Sequence, residues 1–252
     1  MRADVYLAAN GYARGRGEAK ELILGGLVTC DGRIVSKPAQ EISEATEHTV
    51  TVADTGESRY VGRGGRKLEH ALDTFGVSPR ERIVLDVGAS SGGFTDCLLR
   101  RGAARVYALD CGSGQLVDCL RDDPRVVVLE NYNARYLDAR DFDPLPSLVT
   151  MDVSFISQTL IFPAIHSLLA EGGEFISLVK PQFEVGREGI GKGGIVRDPH
   201  IRRGALDRVA ASAASLGWHL LGTTESPIPG GDGNIEYLAW FRIDGATHNG
   251  KE

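Results

Sequence analysis

The stretch Ile83-Val84-Leu85-Asp86-Val87-Gly88-Ala89-Ser90-Ser91-Gly92-Gly93-Phe94 sets the terms for the larger part of the chain. A short apolar run leads at once into a glycine-rich turn and then into a helical pattern. In doubly wound sheets the first such turn lies at the ligand crevice, beyond the carboxyl ends of the strands. From residue 82 onward, runs of this kind alternate with helical patterns. Residues 83–87, 105–109, 126–129, 148–151, 174–179, 218–223 and 236–243 read as strands, and 94–101, 158–169 and 199–216 as helices. The alternation predicts an α/β fold: a Rossmann-like, seven-stranded, mostly parallel sheet with helices on both faces.

Residues 1–58 follow another pattern. Helices are expected from Asp4 to Asn10 and from Gly17 to Leu24, the second closed by Gly25-Gly26. Strands over 27–30 and 33–35 flank Asp31-Gly32, a strong tight-turn signal, and a further strand covers 49–52. This is a small α+β domain, near the lower size limit for a core. The Gly- and Arg-rich residues 59–66 read as a linker, with a helix starting near Gly65 and running to Phe75. The α/β domain then spans 67–245, and 246–252 form a tail.

Composition excludes several function classes. The 34 acidic and 28 basic residues give a net charge of -6, so a uniformly basic nucleic-acid coat is excluded and any such contact must come from local patches. An apolar fraction of 42% excludes intrinsic disorder. Cys30, Cys97, Cys111 and Cys119 form no CxxC pair and no zinc-finger spacing with histidine; they read as reduced thiols, and no metal is expected. No apolar run approaches the ~18 residues of a membrane helix, and the first residues lack a signal-peptide apolar region. The expectation is a cytoplasmic protein without a membrane partner.

The loop Gly88, Ala89, Ser90, Ser91, Gly92, Gly93, Phe94 does not have the G-x-G-x-x-G spacing of dinucleotide binders. Asp86 puts a carboxylate beside it. A pyrophosphate would be repelled there, whereas a sulfonium and an amino group would be attracted, which favours S-adenosylmethionine over a nicotinamide dinucleotide. Asp110 ends the next strand, where an acidic residue can accept from both ribose hydroxyls of a nucleoside cofactor. Asn133 follows the third strand and reads equally as an adenine contact or a turn former.

Charged residues also stand where apolar strands end. Asp152 follows the fourth strand, Lys180 follows the fifth, Glu236 opens the last, and Lys67 lies in the helix ahead of the sheet. Such placement is expensive unless the charges are paired or at the ligand edge. Singly, each is more simply a salt bridge. Together they suit methyl transfer to a ribose hydroxyl, a poor nucleophile that loses its proton as it attacks; a lysine of lowered pKa can act as base or hold the developing alkoxide. Base methylation would use an NPPY- or DPPY-type tetrapeptide, or a nucleophilic cysteine at the fourth strand, and neither is present. Arg2, Arg14, Arg16 and Lys20, with Arg63 and Arg66 further on, are candidate RNA-phosphate contacts. A third basic group, Arg187 to Arg208, begins in a glycine-rich loop.

These motifs carry a resemblance. Arg14-Gly15-Arg16-Gly17-Glu18-Ala19-Lys20, Gly26-Leu27-Val28 and Asp31-Gly32 with Lys37-Pro38 resemble an S4-type RNA-binding domain, although Gly15 and Gly17 stand where S4 domains more often carry Ser and Glu. Residues 60–242 look like an FtsJ-type ribose 2′-O-methyltransferase domain. The order of the two, with Asp152-Val153-Ser154-Phe155-Ile156-Ser157, Lys180-Pro181-Gln182-Phe183-Glu184 and Gly233-Asn234-Ile235-Glu236, resembles the TlyA/hemolysin-A family. The resemblance implies a Lys67–Asp152–Lys180–Glu236 catalytic tetrad with Lys180 central. It also implies S-adenosylmethionine at the glycine loop and Asp110, and a cytidine of ribosomal RNA, within a ribosomal subunit, as substrate. Two other readings stay open: a ribosome-assembly factor that binds RNA without methylating it, and the membrane-lytic protein suggested by the family's historical name.

Overall fold

A computed structural model describes residues 1–13, 15–24, 26–43, 46, 48–52, 59–231 and 233–243. The chain divides into two compact units, Met1–Arg59 and Tyr60–Glu252.

In the first unit, helices α1 (Ala3–Ala9) and α2 (Arg16–Leu24) precede strands β1 (Val28–Cys30), β2 (Arg33–Ile34) and β3 (Val50–Val52). The strands form an antiparallel sheet in the order β2-β1-β3. Asp31 and Gly32 both take positive φ (51° and 75°), the conformation a two-residue hairpin needs to match the strand twist. Leu7, Ala19, Leu22 and Ile23 from the helices pack on Val28, Val35, Ile42 and Val50. The first turn of α1 is held at Asp4, whose carboxylate accepts from Arg2 Nε and Nη2 at 2.9 and 3.0 Å and from Arg16 Nη2 at 3.3 Å.

The second unit opens with α3 (Gly64–Phe75). It continues through β4 (Ile83–Val87), α4 (Gly93–Arg100), β5 (Arg105–Leu109), α5 (Asp118–Arg121), β6 (Val126–Leu129), β7 (Leu148–Met151) and α6 (Phe162–Leu168). It closes with β8 (Glu174–Val179), α7 (Pro181–Glu184), α8 (Pro199–Ser215), β9 (Trp218–Glu225) and β10 (Tyr237–Ile243). The seven strands lie in the order β6-β5-β4-β7-β8-β10-β9. Those from β6 to β8 are parallel, and β10 runs antiparallel between β8 and β9. Alternate residues of each strand serve opposite faces. Val84, Val106, Leu148 and Ile176 pack with Leu68 and Leu72 of α3 and Leu98 of α4. Leu85, Val87, Met151 and Phe175 pack with Phe162 of α6 and Leu206 and Val209 of α8. Helices therefore cover both faces, and the sheet interior reads as continuous apolar runs.

Two expectations are adjusted. The helix expected over 158–169 is a 3₁₀ turn, Gln158–Leu160, followed by α6. Pro163 lies in the first turn of α6, the one place where its missing N–H costs no hydrogen bond, and so the α-helix begins there. The residues read as a linker divide: Arg59 ends the first unit, Tyr60 is buried in the second, and Gly64–Arg66 already form the first turn of α3. Of the residues named from sequence, Arg14, Gly25 and the 246–252 tail lie outside the described residues.

Candidate active site

The glycine loop turns sharply where β4 ends. Gly88 and Ala89 donate their N–H groups to the Leu109 carbonyl at 2.8 and 3.0 Å, which ties the turn to β5. Gly88 has φ 84°, and a Cβ there would lie 2.4 Å from the Asp152 carbonyl oxygen. Only glycine allows this approach. Ser90 also takes positive φ, 48°. Its N–H donates to Asp110 Oδ2 at 2.8 Å, and the Gly112 N–H donates to Asp110 Oδ1 at 2.8 Å.

Two cavities meet at this turn. The larger, about 380 Å³, is lined by Gly88, Ser90, Asp110, Tyr132, Asn133, Val153, Phe155 and Ile156, among others. Its volume falls within the ~300–1,000 Å³ usual for small-molecule sites. The smaller, about 220 Å³, is lined by Gly62, Arg63, Gly64, Ser91, Gly93, Phe94 and Lys180. Gly88, Ser90, Asp152 and Ser154 border both. An acidic group at the end of the second sheet strand, an apolar flank and a close glycine turn suit a nucleoside cofactor.

Not every residue of the predicted loop faces these cavities. Asp86 lines neither. It is fully buried, accepting from Thr95 Oγ1 at 2.6 Å and Thr150 Oγ1 at 3.1 Å, and burial pushes its carboxyl up to about 7. Strand alternation explains this: Leu85 and Val87 serve one face of β4, and Asp86 points to the opposite face, beneath α4. Asp86 is therefore bonded to α4 and β7 and lies outside both cavities, where it makes no direct contact of the kind expected with a cofactor. Gly92 also lines neither cavity. Its φ of 100° starts α4, and a Cβ there would meet Leu120 at 2.3 Å. Asn133 does border the larger cavity, while its Oδ1 accepts from the Arg135 N–H at 3.1 Å, so the turn-forming role is present too.

The four charged residues form two ion pairs at one end of the sheet. Lys67 Nζ donates to Glu236 Oε2 at 2.6 Å, across 169 positions of sequence. Both side chains are almost sealed, at 9% and 3% exposure, and neither lines the two cavities. Lys180 Nζ lies 2.5 Å from Asp152 Oδ1, at an angle outside hydrogen-bond geometry, and donates to Ser154 Oγ at 2.8 Å. Sheet register brings these residues to a common edge. Tyr237 pairs with Val179, so Glu236 and Lys180 each stand one step beyond that pair. The Asp152 N–H donates to Val87 O at 2.9 Å, which fixes Asp152 beside the glycine turn.

The sequence reading missed three residues. Phe155 is 92% exposed with φ 64°, a strained backbone for a bulky side chain, and its ring lies 5.2 Å from that of Phe183. Glu184 is buried and accepts from Ser157 Oγ and the Gln158 N–H. Asn234, fully buried, accepts from the Val196 N–H at 2.9 Å and donates to Gly194 O at 3.0 Å, which ties the glycine-rich loop to the segment carrying Glu236. A large apolar residue within a polar strand-end loop was the available signal for Phe155.

The candidate RNA contacts separate by unit. Arg2 and Arg16 share Asp4, Lys20 is exposed, and all three lie in the first unit. In the second unit Arg63 caps α3 and Arg66 lies in its first turn, and Arg63 borders the smaller cavity. Cys30, Cys97, Cys111 and Cys119 form no disulfide among the described residues.

Comparison with known proteins gives the family of the chain. Residues 60–243 match the model for FtsJ-like methyltransferases, and residues 1–47 match the S4 domain model. The chain is 46% identical over 241 residues to the 16S/23S rRNA (cytidine-2′-O)-methyltransferase TlyA of Mycobacterium tuberculosis, covering 96% of this chain and 89% of that one. It is 44% identical over 244 residues to Hemolysin A of Brachyspira hyodysenteriae, covering 96% of this chain and all of that one. Among the described residues, no helix is long and apolar enough to cross a membrane. A solved structure of a proposed hemolysin from Streptococcus thermophilus superposes with a TM-score of 0.78 at 44% identity, over 97% of this chain and 88% of that one. With a matching model over most of its length and full-length relatives well above the twilight of identity, the chain belongs to the FtsJ-like methyltransferase family and carries an S4 domain at its amino end.

Proposed function

We propose that the protein methylates the 2′-hydroxyl of a ribose in ribosomal RNA, at a cytidine, with S-adenosylmethionine as donor. The observation that carries this reading is Lys180, whose ammonium borders the smaller cavity while Asp152 and Ser154, its partners, border both. When bound, S-adenosylmethionine supplies a methyl group on a positively charged sulfur that departs as a neutral thioether. Asp110 would hold the ribose of the cofactor, with the Gly88–Gly93 turn beside it. Lys180 donates to the attacking ribose oxygen and stabilises the charge that develops as its proton leaves. Asp152 Oδ1 is buried and faces the Lys180 ammonium at 2.5 Å, so the carboxylate would take that proton through its other oxygen, on a side chain that borders both cavities. Lys67 and Glu236 neutralise each other beneath this edge and fix its electrostatics. The exposed ring of Phe155 offers a base a stacking face, as suits a nucleotide drawn out of its stack.

Arg2, Arg16, Lys20, Arg63 and Arg66 would meet phosphates and position the RNA without reading its sequence. Ribosomal RNA or an assembling subunit is the partner, which places the reaction in the cytoplasm. The substrate in the name of the TlyA relative, a cytidine of ribosomal RNA, supports this choice. The test is to incubate ribosomal subunits lacking the modification with isotope-labelled cofactor and to identify the labelled nucleoside by mass spectrometry. The expected product is 2′-O-methylcytidine; a label on a base, or none on RNA, would remove the reading.

A further inference from the structure

Asp152 and Lys180 stand on separate strand-end loop segments, the first running over 152–158 after β7 into the 3₁₀ turn and the second over 180–184 after β8, where it coils into the single turn of α7. The two loops touch at successive points. Lys180 meets Asp152 and Ser154, and the Phe155 ring lies 5.2 Å from that of Phe183. At the far end, Glu184 Oε2 accepts from Ser157 Oγ at 2.6 Å, and Glu184 Oε1 accepts from the Gln158 N–H at 2.9 Å. Both oxygens of a buried carboxylate are thus spent on the opposite loop. Each end of this clamp is anchored in turn. The Glu184 carbonyl accepts from Arg208 Nη1 of α8 at 2.7 Å, and Gln158 Oε1 accepts from Ser177 Oγ of β8.

Burying a carboxylate costs free energy that its hydrogen bonds must offset, and an apolar residue would fill the same space more cheaply. What the carboxylate adds is direction: two bonds, one to a backbone N–H, fix how the Asp152 loop lies against the Lys180 loop. The contact at the other end joins partly exposed side chains and restrains the loops less.

We infer that Glu184 is a positioning residue that sets the separation of Asp152 and Lys180 through the loops carrying them. This inference rests on the methyl-transfer reading above. It assigns Glu184 no contact with cofactor or RNA.

The test measures methyl transfer to unmodified ribosomal subunits together with cofactor affinity by calorimetry, in the full chain. Glu184→Ala is expected to lower kcat about 100-fold, the scale of an ångström-sized misplacement, with the RNA KM and the cofactor Kd within about threefold of the parent. Glu184→Gln keeps an acceptor for the Gln158 N–H and a polar partner for Ser157, and should recover kcat to within about fivefold. Ser157→Ala removes one bond and should lower kcat about fivefold; it carries the test if Glu184→Ala does not fold. A folded Glu184→Ala with parental kcat overturns the inference, as does a loss of cofactor affinity equal to the loss of kcat. If Glu184→Ala does not fold, a parental kcat in Ser157→Ala overturns it. Lys180→Ala is the reference. If it is inactive while Glu184→Ala is fully active, the clamp alone fails; if Lys180→Ala is fully active, the role of Lys180 in methyl transfer fails as well, and if the parent chain puts no label on RNA the methyl-transfer reading itself fails.

Discussion

In the first unit the Asp4 carboxylate lies beneath two arginines that are half-exposed or more, whereas in the second Lys67 and Glu236 are sealed from solvent together. The contrast follows from size. The first unit packs one small apolar cluster against a three-stranded sheet, and the arginines that pair with its buried Asp4 stay at the surface. The second has an apolar layer on each face of seven strands, which leaves room to bury ions at the sheet's end. A small domain can present charge to a polyanion. A layered one can also hold charge in fixed geometry at low solvent exposure, and that is what catalysis by positioned groups requires.

The largest expected effect is at the partly exposed pair of the second unit, Lys180 and Asp152. Lys180→Ala should lower the rate of methyl transfer by about 10²–10⁴-fold and leave cofactor affinity by calorimetry unchanged. Equal losses in both would mean that Lys180 serves binding. Next comes the sealed pair. Glu236→Ala strands the Lys67 ammonium and should destabilise the second unit by about 3–5 kcal/mol in denaturant titration. Asp152→Ala should cost clearly less, since its pair is more exposed. Equal costs would erase the distinction between the two pairs.

In the first unit, replacing Arg16 and Lys20 by alanine should weaken RNA binding about tenfold at moderate salt and reduce the salt slope by about 2, with no change in cofactor affinity. An unchanged slope in filter binding would remove those residues from the RNA footprint.

The smallest effects concern pH, and they run in opposite directions. Asp86 is pushed up to about 7 by burial, so its contribution to stability is complete below the ordinary carboxyl range and is lost as pH rises through 7. Asp86→Asn should flatten that decline, by about 2–4 °C in Tm between pH 5 and 8. Asp4 is drawn down to about 2, chiefly by its bonds with Arg2, so its contribution is complete above the ordinary range and is lost as pH falls toward 2. Asp4→Asn should remove that acid-side decline. A Tm scan across pH, with each variant, checks both.

Much of this architecture could be read from the chain. The seven strands were legible because strands covered on both faces leave unbroken apolar runs such as Leu148–Met151 and Glu174–Val179. Asp152 and Lys180 were legible because a charge directly after such a run must be explained. The pairing of Lys67 with Glu236 was not, since it depends on where α3 settles against β10. Asp86 was misassigned although the alternation of β4 carried the information: Leu85 and Val87 serve the core on one face, which turns Asp86 toward α4. Glu184 stands in the motif that opens with Lys180, but its role was not legible, because its partners are a backbone N–H and a serine on another loop.

The central claim concerns which atom accepts the methyl group. A ribosomal RNA fragment carrying deoxyribose at the target nucleotide, compared with the all-ribose fragment under labelled cofactor, tests it most directly. The account predicts that the deoxy fragment still binds and takes up no label. Label transferred to it at the parental rate would place the acceptor on the base and contradict the account.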